Sequence, residues 1–276
     1  YYGTQHIMAT SGSQAVIKQL PQIFTTHLAK LNNEFKPQQI DVWLPRVGYK
    51  EHEKAWRDNA FNIKQYDELP SADELTAHCI IVVINPNNPT GRLYTKAEML
   101  TLLQQVENHQ GWLIVDEAFM DVISPNESII SETHNRHLLV LRSVGKFFGL
   151  AGIRIGFVSA HPDWLQAFAQ LSSPWEVNGP AQFITERALL DTAWQQQQQA
   201  LLKELTQQTK ALLAKHFQQT SVGTNLFQTV KLDNAPVIYE ALCQQGVYVR
   251  LCDEQDALRF GITDKAGLAR LVEALD

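Results

Sequence analysis

Residues 143–156 read Ser-Val-Gly-Lys-Phe-Phe-Gly-Leu-Ala-Gly-Ile-Arg-Ile-Gly, and they follow an apolar stretch that predicts a strand over 138–141. Because ligands bind beyond the carboxyl ends of strands in open α/β sheets, we expect Lys146 at the ligand edge of a sheet. Arg154 adds a planar, permanently charged guanidinium suited to phosphate, and Ser143 adds a hydroxyl donor. A solvated lysine in a glycine-rich turn is the plainer interpretation, but the combined spacing favours a site for an anionic ligand.

The segments on either side of this stretch alternate between the strand period and the helix period. This alternation predicts an α/β fold, with a mostly parallel sheet between helices. After residue 172 the pattern changes to a long helical stretch over 180–218 and then to a small α+β unit. We therefore expect a large α/β domain over 1–172 and a small C-terminal α+β domain over 173–276, which includes the long linking helix. The predicted strands are 40–44, 80–84, 112–115, 138–141, 153–159, 226–232, 247–251 and 257–262. The predicted helices are 12–31, 49–59, 95–108, 163–171, 237–244 and 266–275.

The composition is typical of a globular protein. The 276 residues are 45% hydrophobic and 19% charged, with a net charge of -6. No apolar run approaches the ~20 residues of a membrane span, and acidic and basic residues are interleaved, so we expect no membrane and no nucleic acid as partner. Cys79, Cys243 and Cys252 are scattered, which predicts no disulfide framework and no metal site and favours a cytoplasmic location. The sequence opens at Tyr1 without a signal peptide or an initiator Met, so we expect it to be part of a longer product.

A carboxylate closes the predicted strand that begins at Trp112. Asp116 ends the segment Trp-Leu-Ile-Val-Asp, where an unpaired carboxylate would be costly. A protonated ring nitrogen would be a fitting partner for it. An aspartate that caps a turn is the common alternative, so this segment alone is only a weak indication of a ligand site.

A rigid turn follows the predicted strand over 80–84. Residues 85–91 read Asn-Pro-Asn-Asn-Pro-Thr-Gly, in which two prolines and a glycine restrict the backbone. The amide of Asn88, held in this turn, can donate to an anionic oxygen. A tight turn is the alternative interpretation, although the string is more specific than a turn requires.

Two other segments could bind anions. Gly12 and Ser13 open the first predicted helix, where free backbone N–H groups and the helix dipole favour negative charge. An ordinary N-cap is the more common reason for such a segment. Arg250 follows the apolar residues 247–249 of one predicted strand, and Arg259 lies within the next one. Surface arginines are the default interpretation, yet two in neighbouring strands could clamp an anionic substrate.

Together these residues match the needs of pyridoxal 5′-phosphate (PLP). A PLP enzyme requires a lysine amine for a Schiff base, and Lys146 supplies one. Asp116 would face the pyridine nitrogen and keep the ring cationic, so that the ring accepts the electrons released at the substrate Cα. Asn88 would face the phenolate oxygen.

The joint occurrence of these motifs, from Ser11 to Arg259, resembles the fold-type I PLP enzymes of aminotransferase class I/II. Within that class the chain resembles two branches, the histidinol-phosphate aminotransferases and the threonine-phosphate decarboxylases of cobalamin biosynthesis. Most aminotransferases of this class have Tyr at the position of Phe119, so the loss of that hydroxyl leaves Asn88 as the phenolate donor. The strings that resemble the decarboxylases more are 116–119, 141–152, 174–182 and 258–261.

The resemblance implies a role for each matching residue. Lys146 would be the catalytic residue, and Tyr49 would stack on the cofactor ring, although its spacing after Pro45 is longer than in relatives. The phosphate of PLP would be held by Gly12, Ser13, Ser143 and Arg154. The substrate would be held by Arg259 at its α-carboxylate, by Arg250 at its phosphate and by Asn178 in the pocket. The resemblance also implies a homodimer and a small anionic amino-acid phosphate as substrate.

Three functions remain open on this basis. The first is a lyase that decarboxylates L-threonine O-3-phosphate to aminopropanol phosphate. The second is an aminotransferase of the histidinol-phosphate type. Which bond at the substrate Cα stands perpendicular to the cofactor ring decides between decarboxylation and amino transfer. The third is a ligand-sensing domain of a regulator, which the lack of a basic DNA-binding segment disfavours. We expect the lyase, because Phe119 and the string over 174–180 favour it.

Overall fold

The computed structural model describes residues 1–31, 34 and 36–275; Asn32, Asn33, Phe35 and Asp276 lie outside the described residues. The chain folds into two compact units. The first unit comprises 1–87 and 93–190, and the second comprises 88–92 and 191–276. The division of the chain into domains at residue 172 stays a prediction.

In the described part of the first unit, seven strands form one sheet in the order β1-β7-β6-β5-β4-β2-β3. The five strands from β6 to β3 are mutually parallel, while β7 is antiparallel to both of its neighbours. The predicted α/β class with a mostly parallel sheet is therefore confirmed. The strands are β1 (Ile7–Thr10), β2 (Asp41–Pro45), β3 (Asn62–Tyr66), β4 (Ile80–Ile84), β5 (Trp112–Asp116), β6 (Leu138–Ser143) and β7 (Gly156–Ala160).

Helices cover the sheet of the first unit, and its central strands β4, β5 and β6 are buried because their side chains pack on both faces. Successive residues of β5, such as Ile114 and Val115, belong to two different apolar clusters. This is the pattern expected of a sheet that is covered on both sides. The helices are α1 (Ser13–Leu31), α2 (Lys50–Asp58), α3 (Lys96–Asn108), α4 (Pro162–Leu171) and α5 (Gly179–Leu190). Helix α3 begins with a capping box formed by Thr95 and Glu98.

The second unit is an α+β arrangement, as predicted for the C-terminal part of the chain. Its described strands form an antiparallel sheet in the order β10-β11-β9-β8. Phe260 and Leu258 of this sheet are buried with residues of the helices. The elements are α6 (Thr192–Phe217), β8 (Val222–Thr224), β9 (Phe227–Lys231), α7 (Ala235–Gln244), β10 (Arg250–Leu251), β11 (Ala257–Gly261) and α8 (Lys265–Leu275).

Several elements differ from the predictions. The single helix expected over 180–218 is two helices, because Asp191 interrupts it and caps α6 by accepting a hydrogen bond from the backbone N of Trp194. Arg154, expected inside a strand, lies before β7 with a left-handed backbone (φ 57°). The strand expected over 247–251 is limited to the short β10, of which Arg250 is the first residue. Strands β1, β3 and β8 were not predicted.

Among the described residues, no helix combines the length and the apolar character that a membrane crossing requires.

Candidate active site

The carboxyl edge of the parallel strands gathers the predicted cofactor residues of the first unit. Asp116 is the last residue of β5 and Ser143 is the last residue of β6. Lys146 follows in the loop after β6, and its Nζ lies 5.4 Å from the ring centroid of Phe119, which follows β5. Two neighbouring strands therefore bring an amine and a carboxylate to one edge of the sheet, as the sequence predicts.

Asp116 is a buried carboxylate with both oxygen atoms hydrogen-bonded. Its Oδ1 accepts from the backbone N of Ala118 at 3.0 Å, and its Oδ2 lies 2.9 Å from Nε2 of His52. A carboxylate only accepts hydrogen bonds, so Nε2 of His52 carries the hydrogen in this pair. His52 is fully buried in α2, and the pair fixes the orientation of the carboxylate at the end of β5.

Gly12, Ser13 and Arg154 form a cradle at the start of α1. A Cβ built on Gly12, which has a φ of +89°, would lie 2.9 Å from Nη2 of Arg154. A Cβ on Gly156 would lie 2.6 Å from the backbone N of Ser13. The two glycines thus let the guanidinium and β7 approach the helix start. The first turn of α1 holds no acidic residue, so the dipole and the arginine both favour an anion here.

The remaining predicted residues of the first unit lie around this edge. Ser143 pairs with Gly156 in the β6–β7 ladder, and its Oγ accepts from the backbone N of Gly145 at 3.2 Å. The hydroxyl of Tyr49 donates to Oε1 of Gln14 at 3.0 Å, which links the residue before α2 to the first turn of α1. Asn178 donates to the carbonyl of Ile153 at 3.5 Å, next to Arg154 in sequence.

Three predicted residues belong to the second unit, where they form their own cluster. Nη1 of Arg259 donates to Oδ1 of Asn88, and Thr229 donates to the carbonyl of Pro89 at 2.7 Å. Arg250 pairs directly with Arg259 in the β10–β11 ladder. Burial lowers the pKa of the Arg259 guanidinium, and the positive charge of Arg250 lowers it further. Asp253 pairs with Arg250 at 3.2 Å and offsets part of this charge, and a bound anion would stabilise Arg259 further.

Sequence reasoning missed two sets of polar residues beside this edge. The first is His52, a single histidine in an amphipathic helix, which carried no motif. The second is the buried group of Arg142, Glu117 and Asp121, in which Arg142 bonds to both carboxylates. A signal was available for this group, because Arg142 and Glu117 are charged residues that adjoin apolar strands, where charges require partners.

Known proteins resemble the chain in sequence and in structure. A threonine-phosphate decarboxylase of Pseudomonas aeruginosa is 36% identical over 276 residues, which is 100% of this chain and 79% of that protein. The L-threonine-O-3-phosphate decarboxylase of Porphyromonas gingivalis has a similar fold (TM-score 0.76, 20% identity, 98% of this chain and 82% of that one). So does a histidinol-phosphate aminotransferase of Sinorhizobium meliloti solved with pyridoxal-5'-phosphate (TM-score 0.83, 17% identity, 98% and 75%). Residues 1–275 match the family described as aminotransferase class I and II. The chain therefore belongs to the aminotransferase class I and II family.

Proposed function

We propose that the chain is a PLP-dependent lyase that decarboxylates L-threonine O-3-phosphate to aminopropanol phosphate for cobalamin biosynthesis. The observation that carries the proposal is the 36% identity, over the whole chain, with a protein named threonine-phosphate decarboxylase. The alternative, an aminotransferase of the histidinol-phosphate type, shares the fold. An assay that follows CO2 release and amino transfer together distinguishes the two reactions.

The residues present fit PLP. The cradle of Gly12, Ser13 and Arg154 has the shape and charge for a phosphate, because side chains at Gly12 and Gly156 would fill it. Asp116 is a buried carboxylate, already oriented by His52, that suits a protonated pyridine nitrogen. Lys146, which follows β6, supplies an amine close to Phe119, which follows the neighbouring strand β5. We propose that Ser143 joins the phosphate site and that Tyr49 covers the ring.

When bound, PLP supplies an electron sink for the bond that breaks at the substrate Cα. In the proposed reaction the bond between Cα and the carboxylate breaks, CO2 leaves and a proton takes its place at Cα. Lys146 would bind the cofactor before the substrate arrives. Once released from the cofactor, its amine would deliver the proton that replaces the carboxylate at Cα. Asp116 would hold the proton of the pyridine nitrogen in place, and Asn88 would donate to the phenolate oxygen.

Arg250 and Arg259 suit a substrate with two anionic groups. Two guanidinium groups directly opposite each other in a ladder repel, and bound anions would relieve that repulsion. We propose that Arg259 orients the α-carboxylate and that Arg250 favours the substrate phosphate, with Asn178 as a further pocket residue. Their placement of the carboxylate would select loss of CO2 over loss of the Cα proton.

We also propose a homodimer in the cytoplasm. Large apolar side chains on α5 support an interface, since Phe183 and Leu190 are 56% and 71% exposed. Cys79, Cys243 and Cys252 all lack a disulfide partner, which fits a reducing compartment. Sedimentation of the purified protein would test the dimer, and a monomer at micromolar concentration would contradict it.

The test combines the protein with PLP and L-threonine O-3-phosphate, and it measures both CO2 release and amino transfer to a keto acid. We expect CO2 without transfer, and we expect Lys146→Ala to abolish it. The matched control is Lys54→Ala, because Lys54 is an exposed lysine of α2 that pairs with Asp58 in a surface ion pair. This control should retain the activity.

Two results would contradict the proposal. Amino transfer with histidinol phosphate, without CO2 from threonine phosphate, would establish the aminotransferase instead. Both reactions would be excluded if the protein binds no PLP and therefore shows no absorbance band that is lost in Lys146→Ala.

A further inference from the structure

The ends of β5 and β6 carry functional groups on both faces of the sheet. Successive side chains of a strand point to opposite faces. Asp116 lies on the face of α2, where it contacts His52, so its neighbour Glu117 points to the other face. Leu141 belongs to the cluster on the α2 face, so Arg142 points away from that face and Ser143 towards it. The pairs 116–117 and 142–143 therefore each place a proposed cofactor residue on one face and a charged residue on the other.

Arg142 spans the two strand ends on that other face. Its Nη1 donates to Oε2 of Glu117 at 2.8 Å, and its Nη2 donates to Oδ1 of Asp121. Glu117 is held further by the hydroxyl of Ser128 and by the backbone N of Ile129, at 3.1 Å from its Oε1. One guanidinium thus links the end of β6 to the residues that directly follow β5.

The group is almost fully enclosed. Arg142 is 2% exposed, Glu117 0% and Asp121 5%. Burial raises the pKa of both carboxyl groups, while the charge of Arg142 opposes that rise. Burial also disfavours the charged guanidinium, but the charges of Asp121 and Glu117 outweigh this and raise the pKa of Arg142. Charges with this little access to water hold one arrangement, because any other leaves a buried charge without its partner.

Aromatic side chains cover the group and connect it to the loop of Lys146. The guanidinium of Arg142 lies 4.6 Å from the ring centroid of Tyr2. The hydroxyl of Tyr1 donates to Oδ1 of Asp121 at 2.9 Å, and its ring packs edge-on against Phe148 with centroids 5.6 Å apart. Phe148 is two residues after Lys146, so the cover reaches the loop that carries the amine.

We propose that Arg142 is a positioning residue for the cofactor site: by holding Glu117 and Asp121 it fixes the end of β5 against the end of β6, and so sets Asp116 relative to Ser143 and Lys146. This inference rests on the proposed PLP chemistry, but it concerns the face of the sheet that the cofactor residues do not use. Small displacements of groups that bind or react can cost about 100-fold in rate, so such a restraint has a measurable effect.

The test is Arg142→Lys, which keeps the charge but loses the fork that reaches two carboxylates at once. We expect the dissociation constant of PLP to rise about tenfold or more, and the pH midpoint of the absorbance change of bound PLP to shift. Both are measured well below the unfolding temperature of the variant. The matched control is Arg136→Lys: Arg136 forms a 2.8 Å ion pair with Asp163, but both side chains are exposed. The control should leave both quantities unchanged.

Three further results decide the inference. If Arg142→Lys lowers the thermal stability but leaves the PLP affinity and the absorbance at wild-type values, Arg142 has a merely structural role and the inference is overturned. If Arg142→Lys does not fold, Glu117→Gln is tested instead, because glutamine keeps the shape of the side chain and removes one charge. An altered PLP affinity and absorbance in Glu117→Gln would support the inference. Wild-type values would overturn it. Wild-type protein that binds no PLP would instead contradict the proposed function on which the inference rests.

Discussion

Oδ1 of Asn88 accepts a hydrogen bond from Nη1 of Arg259, across 171 positions of sequence. An asparagine side chain has one acceptor oxygen and one donor NH2 group. Because Arg259 engages the oxygen, the NH2 group is the part of Asn88 that can serve an anionic acceptor such as the phenolate oxygen. The proposed contact to the cofactor and the proposed contact to the substrate carboxylate are therefore linked through one amide.

We expect Asn88→Ala and Arg259→Lys to act non-additively. Each change should raise the KM for threonine phosphate about 10- to 100-fold, because each removes a hydrogen bond that involves a charged group, worth roughly 1.5–3 kcal/mol. The double variant should lose less than the sum, by about 1 kcal/mol. Steady-state kinetics of the four proteins gives this coupling. Strictly additive losses would mean that the two residues act independently.

Arg250→Gln should weaken substrate binding and leave the stability of the substrate-free protein almost unchanged. The substitution relieves the repulsion between Arg250 and Arg259, which costs roughly 0.2–1 kcal/mol, but it also removes the exposed 3.2 Å ion pair of Arg250 with Asp253, which is worth about as much. Thermal unfolding with and without inorganic phosphate measures both effects. The variant should gain less stability from phosphate than wild type does. Lys231→Gln, at an 83% exposed side chain of β9, is the control and should respond to phosphate as wild type does.

Gly12→Ala should impair PLP binding through its contact with Arg154. The new Cβ would lie 2.9 Å from Nη2, in a residue with a φ of +89°. Gly246→Ala is a matched control, because Gly246 has a φ of +75° and no heavy atom within 4 Å of the added Cβ. Both variants should lose about 1 kcal/mol of stability from backbone strain. Only Gly12→Ala should also weaken PLP binding, by about tenfold, and equal PLP affinities in the two variants would refute the cradle.

His52→Leu should weaken PLP binding through Asp116. The change removes the Nε2 donor at 2.9 Å and leaves the backbone N of Ala118 as a donor to the carboxylate. A less firmly oriented carboxylate should raise the dissociation constant of PLP roughly tenfold, by analogy with metal sites, where the loss of a hydrogen bond to a ligand lowers the affinity by at least that factor. His27→Leu serves as the control, since His27 packs against Trp164 on the far end of α1 from the cradle. Unchanged PLP affinity in His52→Leu would show that Asp116 does not depend on this donor.

The buried strands, and the sheet edge at which Asp116 and Lys146 lie, were predictable because both leave local signals. The apolar run Ile80–Ile84 coincides with β4, since a strand covered on both faces contains little else. The edge strand β3, Asn62–Tyr66, was missed because its polar, half-exposed residues lack that pattern. The break at Asp191 was missed because apolar spacing continues across it. Its only local signal was the spacing of Asp191 from Trp194, which reads as an N-cap.

The pairings within the site could not be read from the sequence. Lys146 and Asp116 were predicted as site residues because their motifs place them at the ends of strands, and Arg154 because of its spacing from Lys146. The bonds of Asn88 to Arg259, and of Arg142 to Glu117, depend on register and packing between distant segments. No periodicity records these, so only the folded chain reveals which charges meet.

The second unit is not a continuous stretch of the chain. It includes the turn 88–92, which is inserted in the sequence of the first unit, and Thr229 holds this turn through the carbonyl of Pro89. A fragment that begins at Asp191 would therefore lack part of its own packing, and a protease cut near residue 190 would leave that part on the other piece. An exchange of C-terminal segments between relatives would also have to include the turn 88–92. Recombination at a single crossover therefore cannot transfer the complete unit.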